Sequence, residues 1–264
     1  MDILYIVGKD CSICDNIELR MSLRSIEQYG KNVGRVYVAG YCPDWLSNKV
    51  IKIPFEQPYT KIPNMTEKHI NMVSTLLYAV HNSDIGDEFL LSMDDHFYIN
   101  DVDFDNYPFY AKIHNGGFEL PCKNDGDGKN PYNIWLSQTR LLCDEENISS
   151  YFFCPHRNMH MSKEIIEECR PVLERVIKEK IPCETFAFML NWRYTKYGFE
   201  ITPCEDVKIR NASDWEKVNP RYTDVFSTAN FLKDNEIYNL LVNTFKNKSK
   251  YERICNLKIK LEKK

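Results

Sequence analysis

The chain has 264 residues, enough to bury one large α/β core, and its 43% apolar and 13% aromatic content excludes a disordered or low-complexity protein. Its formal charge of −4 gives no global attraction for nucleic acid or a membrane surface, so any such partner has to be met by a local patch. No apolar run approaches the ~20 residues of a membrane span, Met1-Asp-Ile-Leu-Tyr-Ile-Val reads as a strand rather than a signal peptide, and ten scattered cysteines without an export signal read as free thiols of a cytoplasmic protein.

In chain order, Ile3 to Val7 is a first strand that ends in Gly8-Lys9-Asp10. Cys11-Ser-Ile-Cys14 has redox or zinc spacing, but no second pair completes a zinc site. A helix over 16–29 follows, with Asp15 or Asn16 as N-cap and Gly30 as stop, and residues 34–40 form a second strand. Strand, helix, strand in so short a span predicts a right-handed βαβ unit and a parallel sheet. Residues 50–53 add a strand, 65–81 a helix, and Asp84 to Glu88 turn the chain into a buried strand at Phe89-Leu90-Leu91. Residues 101–150 are less regular, with aromatics at 104–110, a turn at Asn115-Gly116-Gly117 and a polar loop at 123–129. Helices are predicted over 162–178 and 184–194, a strand over 223–228 and an amphipathic helix over 235–245, with Pro155, Pro171, Pro182 and Pro203 as punctuation. The basic stretch 246–264 reads as a solvated amphipathic helix. The expected architecture is a single domain with a Rossmann-type, mostly parallel sheet flanked by helices. Residues 1–100 form its nucleotide-binding half and 101–264 an acceptor-side half.

The stretch FLLSMDDHFYI at 89–99 carries the most pointed chemistry. A buried strand that ends in Asp94 and Asp95 places two carboxylates where open α/β sheets bind ligands, a natural seat for a divalent cation that bridges phosphate oxygens. The plainer alternative is an ordinary Asp-Asp turn. His96 could add a nitrogen ligand or point into the sheet. Arg20 and Arg24, four apart on one helix face, could grip phosphate near the end of the first strand, or form salt bridges with Glu27. His156, Arg157, His160 and Lys163 form a basic, protonatable group suited to a general base or a phosphate clamp.

Asp15-Asn16-Ile-Glu18-Leu19-Arg20-Met-Ser22-Leu23-Arg24-Ser25-Ile26-Glu27, Val33 to Val38, Pro43-Asp-Trp45-Leu46 and Phe89 to Phe97 together resemble the second region of the Stealth-type sugar-phosphate transferases. That family includes capsular polysaccharide phosphotransferases, and short phage and bacterial proteins of similar pattern are called glycosyltransferases. His156 with Lys163 resembles the third region, and Asp224 to Asn230 with Lys248 to Glu252 the fourth. The chain departs from the pattern at Val7-Gly8-Lys9, where an Asp is usual, and at Ala229-Asn230, where Asn-Asp is usual. An arginine expected shortly before Glu184 is missing, with Lys178 or Lys180 as substitutes.

The resemblance implies a glycosyltransferase-A-like fold, a nucleotide-sugar donor such as a UDP-sugar, and Mn2+ or Mg2+. It implies Asp94, Asp95 and His156 as catalytic residues and Asp95 with His96 at the metal. The donor side then comprises Asn16, Glu18, Arg20 and Arg24, with Lys68 of the 65–81 helix. The expected reaction moves a sugar to an acceptor hydroxyl, on a glycan or on a hydroxylated base of phage DNA. Sugar-1-phosphate transfer is the runner-up. A non-catalytic carbohydrate-binding module, with the 104–110 aromatics and Trp135 stacked on sugar rings, is the alternative from another class.

Overall fold

A computed structural model describes residues 1–9, 16–60, 64–113, 116–121, 131–153, 156–221, 223–228 and 235–253. The expectations for Cys11, Cys14, Asp15, Asn115, Pro155, Ala229, Asn230, the 123–129 loop and the tail beyond 253 lie outside the described residues.

The chain opens with β1 (Asp2–Val7), α1 (Ile17–Tyr29), β2 (Gly30–Lys31), β3 (Val36–Gly40), β4 (Val50–Pro54), α2 (Met65–His81) and β5 (Glu88–Ser92). It continues through β6 (His96–Tyr98), β7 (Val102–Asp103), β8 (Phe109–Lys112), α3 (Pro131–Glu145), β9 (Met159–Ser162), α4 (Lys163–Glu179) and α5 (Thr185–Tyr197). It closes with β10 (Ile201–Cys204), β11 (Lys208–Ile209), a 3-10 turn at Ala212–Lys217, β12 (Val225–Thr228) and α6 (Asn235–Thr244).

The main sheet has the order β4-β3-β1-β5-β9. Its first four strands run parallel, with Ile3 opposite Val36 and Leu4 opposite Leu91, and β9 closes the edge antiparallel to β5. Side chains alternate faces along a strand. Leu4, Ile6, Tyr37, Ala39, Phe89 and Leu91 therefore pack with α2, α4 and α5, while Ile3, Tyr5, Val7, Val36, Val38 and Leu90 pack with Leu19, Leu23 and Ile26 of α1. Burial on both faces explains why these strands read as unbroken apolar runs rather than as an alternation. The 101–264 half completes the same sheet through β9, and a smaller sheet, β11-β12-β6, adjoins it, with β12 antiparallel to β6. The molecule is one α/β domain whose central sheet is mostly parallel.

Helix α1 is buried from Ile17 to Ile26, on both its apolar and its polar positions. Its second apolar pair, Ile17 and Met21, packs with Phe97, with Phe226, with Ile237 and Leu241 of α6, and with Phe245 just beyond it. Its hydroxyls are satisfied internally: Ser22 Oγ donates to His96 O at 2.6 Å, and Ser25 Oγ accepts from the Tyr98 N–H at 3.0 Å. Asn16 takes the N-cap position in the left-handed region, and Gly30 takes the C-cap.

Four expectations need correcting. Residues 131–145 form a full helix, α3, within a region expected to be irregular. Pro171 and Pro203 do not punctuate; they sit inside α4 and β10. Residues 246–253 are turns and extended chain rather than helix. Phe104, Tyr107 and Trp135 belong to the buried interior at 0%, 4% and 2% exposure, which denies a sugar ring access to Phe104 and Tyr107.

Candidate active site

The chain leaves the main sheet at the C-terminal tip of β5. Met93-Asp94-Asp95 forms a tight corner, with His96 N–H to Met93 O at 3.4 Å, and β6 then departs in another sheet. The corner therefore sets Asp94 and Asp95 at the carboxyl edge of the parallel strands, beside the end of β1 at Gly8. A cavity of about 840 Å³ opens there, within the range of small-molecule sites. Its wall brings together Glu18, Lys68, Asp94, Asp95, His96 and His156 from the residues anticipated in the sequence. It also includes residues that were not anticipated: Lys112, Glu184, Asp206, Lys208, Arg210 and Lys217.

The acidic corner is electrostatically uncomfortable. Burial, and then the neighbouring Asp95 charge, push the Asp94 carboxyl up to about 7, against the pull of Lys68. His96 is 2% exposed, and burial drives its imidazole down to about 4, with Asp95 pulling it back and His156 pushing it further. At neutral pH it is an uncharged ring whose Nε2 lies 3.9 Å from Asp95 Oδ1, beyond hydrogen-bond reach, and whose Nδ1 has no hydrogen-bond partner. Among the described residues no three His, Cys, Asp or Glu side chains converge into a cage for an ion. A small hard cation does not need one. Mg2+, with Mn2+ alike, takes one or two carboxylates and fills its remaining positions with water and ligand phosphate oxygens. Two adjacent carboxylates, one of them short of compensating charge, beside a neutral imidazole fit such an ion.

His156 is held by an ordered chain of contacts. Asp206 accepts from the His156 backbone N–H at 2.9 Å and meets its Nδ1 at 2.6 Å, while Lys112 pairs with the same carboxylate. On the other side of the ring Lys208 Nζ donates to Nε2 at 2.9 Å. A carboxylate only accepts and an ammonium only donates, so the proton is on Nδ1 and the lone pair on Nε2. His156 and Lys112 hold the Asp206 carboxyl far below the ordinary carboxylate range despite its burial. Burial, partly offset by Asp95, lowers the Lys208 ammonium, with Lys68 and Lys112 adding to the lowering.

Three donor-side residues are placed elsewhere. Arg24 gives Nε and Nη2 to Glu252 at 2.6 and 2.9 Å and Nη1 to Phe245 O at 2.8 Å. Arg20 reaches Glu252 at 3.5 Å and lies over the Trp45 ring at 4.4 Å. Neither arginine is among the described residues lining the cavity, so the phosphate grip expected of them is replaced by an internal ion cluster. Glu27, their expected partner, accepts instead from the Lys250 backbone N–H. Asn16 is 1% exposed and spans 3.5 Å to Gly8 O, bracing the loop after β1. Of the substitutes for the missing arginine, Lys180 closes α4 and lies over Tyr59 at 5.3 Å. His160 is buried, with Nε2 2.6 Å from Tyr107 O, and Arg157 is bonded to Asp224 at 2.5 Å, so neither joins His156 in the cavity.

The unanticipated residues did leave a trace. Asp206, Lys208 and Arg210 alternate through Glu205-Asp-Val-Lys-Ile-Arg210, the period that points strand side chains to one face. No protein-family model matches the chain, and no curated protein matches it.

Proposed function

We propose that the protein is a metal-dependent transferase that moves a sugar from a nucleotide-sugar, a UDP-sugar first among them, to an acceptor hydroxyl. The carrying observation is the cavity at the carboxyl edge of the parallel strands, where the Asp94-Asp95 corner faces Lys68, Lys112, Lys208, Arg210 and Lys217. These cations, of which Lys112 and Lys217 also pair with Asp206 and Asp214, suit a diphosphate whose charge is shared between lysines and one divalent ion. The strand order, with β1 between parallel β3 and β5, β4 parallel beyond β3 and an antiparallel β9 at the other edge, is consistent with a glycosyltransferase-A-like arrangement.

In this reading Asp95, with Asp94 and the neutral His96 beside it, would hold Mn2+ or Mg2+, which offsets charge on the leaving diphosphate when bound. The lysines orient the phosphates. His156 takes the acceptor O–H proton on Nε2, and Asp206 stabilises the resulting imidazolium through Nδ1. The acceptor oxygen forms a bond to the anomeric carbon as the bond from that carbon to the phosphate oxygen breaks, releasing nucleoside diphosphate. The acceptor is a glycan or a hydroxylated nucleic-acid base, and the cytoplasm is the expected site of action. Among the described residues no helix is long and apolar enough to cross a membrane.

The resemblance to sugar-phosphate transferases favours a second reading, in which the same base directs attack at phosphorus and nucleoside monophosphate leaves. Incubation with a UDP-sugar panel, manganese and a set of acceptors, glycans and hydroxymethylated DNA among them, tests both. UDP release supports sugar transfer, UMP release supports phosphotransfer, and absence of either with all donors sinks the enzyme reading. Binding without turnover would leave a carbohydrate- or nucleotide-binding module.

A further inference from the structure

We propose that Lys208 caps the base, and that the donor's diphosphate opens it by drawing the Lys208 ammonium off His156 Nε2. The inference rests on the reading of the cavity as a diphosphate site. Three features of the structure carry it.

The first is occupancy. His156 has one lone pair that can accept a proton, on Nε2, and the 2.9 Å contact from Lys208 Nζ uses it. While that contact lasts, an acceptor hydroxyl has no base to give its proton to. The second is rigidity on the opposite side. Asp206 holds both the backbone N–H and the ring Nδ1 of His156, so the ring cannot flip to present another nitrogen without breaking a 2.6 Å bond to a carboxylate. The cap has to be removed by moving Lys208, not His156.

The third is that Lys208 has somewhere to go. Its residue and that of His156 both line the cavity, and Lys208 stands on the two-residue β11, whose flexible four-carbon stem allows the ammonium to swing without a change in the strand. A neutral imidazole nitrogen is a weak partner for an ammonium, whereas a phosphate oxygen carries a formal charge and forms the stronger, charge-assisted bond. A diphosphate entering among Lys68, Lys112 and Lys208 therefore competes for Lys208 with an advantage that His156 cannot match. The arrangement orders the reaction: the donor enters, Nε2 is bared, and only then is the acceptor activated. It also keeps the base idle in the empty enzyme.

The experiment follows the side-chain nitrogens of His156 by NMR in the full chain labelled with 15N-histidine, the signal being assigned by its loss in His156→Gln. The probe is magnesium pyrophosphate, with its binding measured separately by calorimetry. Lys208→Met should move the Nε2 resonance downfield, towards that of a bare lone pair. Saturating pyrophosphate should move the wild-type resonance the same way and leave that of Lys208→Met in place. Lys208→Arg, which keeps a cationic donor, should resemble wild type, and the wild-type titration needs no variant to fold. A Lys208→Met resonance at the wild-type position overturns the cap. A wild-type resonance that stays fixed while calorimetry shows pyrophosphate bound overturns the displacement. Pyrophosphate that does not bind at all overturns the opening step together with the diphosphate site, whereas the cap is still decided by the Lys208→Met comparison.

Discussion

Two groups of buried charge lie near α1, and they are built to opposite rules. Around Glu252 opposite charges meet: Arg24 gives the carboxylate two nitrogens, Arg20 adds a third contact, and the Ser249 N–H donates to Oε1 at 3.0 Å. The Glu252 carboxyl is accordingly held below its ordinary range in spite of burial, by Arg24 and the Ser249 N–H. In the cavity, the like charges of Asp94 and Asp95 adjoin and Asp94 is pushed up instead. A buried ion cluster that closes on itself holds the fold together. One that leaves a like-charge pair beside open volume keeps an unbalanced charge in a cleft, the kind of perturbed group that makes a cleft a candidate functional site.

The contrast predicts opposite responses to mutation. The largest effect is expected from Asp95→Ala, which should cut turnover with manganese by at least about a hundredfold while the melting temperature holds, since the loss falls on transition-state charge. A variant that keeps full activity would remove the corner from the mechanism. Breaking the closed cluster should do the reverse. Arg24→Met removes the two shortest charged contacts of a buried carboxylate, leaving it Arg20 and the Ser249 N–H, and should cost about 3 kcal/mol in urea unfolding, with the activity per folded molecule unchanged. Because the folded Glu252 carboxyl lies below its unfolded value, the cluster's stabilisation is in force above the ordinary carboxylate range and fades as pH falls through the lowered one. The penalty of Arg24→Met should shrink accordingly in acid.

Asp94→Asn should stabilise the metal-free protein by about 2 kcal/mol at pH 8, because a carboxyl raised in the folded state costs stability as pH climbs above its unfolded value. At about pH 3, where the unfolded carboxyl also holds its proton, the gain should vanish. A melting temperature equal to wild type at pH 8 would mean that the corner is not strained. The smallest effect concerns His160, which burial pushes down to about 4 although the Tyr107 carbonyl holds it up. Its neutral form is favoured on folding, so stability should fall as pH drops below the imidazole's ordinary range, and His160→Gln should flatten that limb by about 1 kcal/mol.

The first hundred residues were legible because local rules govern them. Helix α2 spans 65–81 as the spacing of its apolar residues requires, and the β5 tip lies where a buried run meets Asp94. Helix α3 was hidden by its own composition. Ile134-Trp135-Leu136 and Leu141-Leu142-Cys143 are apolar triplets in which Ile134 and Leu141 are exposed at 41% and 45%, so the single apolar stripe that marks a surface helix is blurred. The arginines of α1 were read towards the cavity because their partner is remote in sequence, 228 positions from Arg24, beyond any local pattern. The clamp on His156 is non-local in the same way, joining 112, 156, 206 and 208 from separate strands and loops.

The distance from Arg24 to Glu252 also bears on how the protein comes to be made. Synthesis runs from the N-terminus, and early domains or subdomains tend to fold as they emerge. Here the first βαβ unit cannot complete its burial in that way. Until the segment with Phe245, Ser249 and Glu252 has been synthesised, docking α1 onto the sheet would strand two guanidinium groups without the carboxylate they share. Full burial of α1 therefore waits on the 245–252 segment.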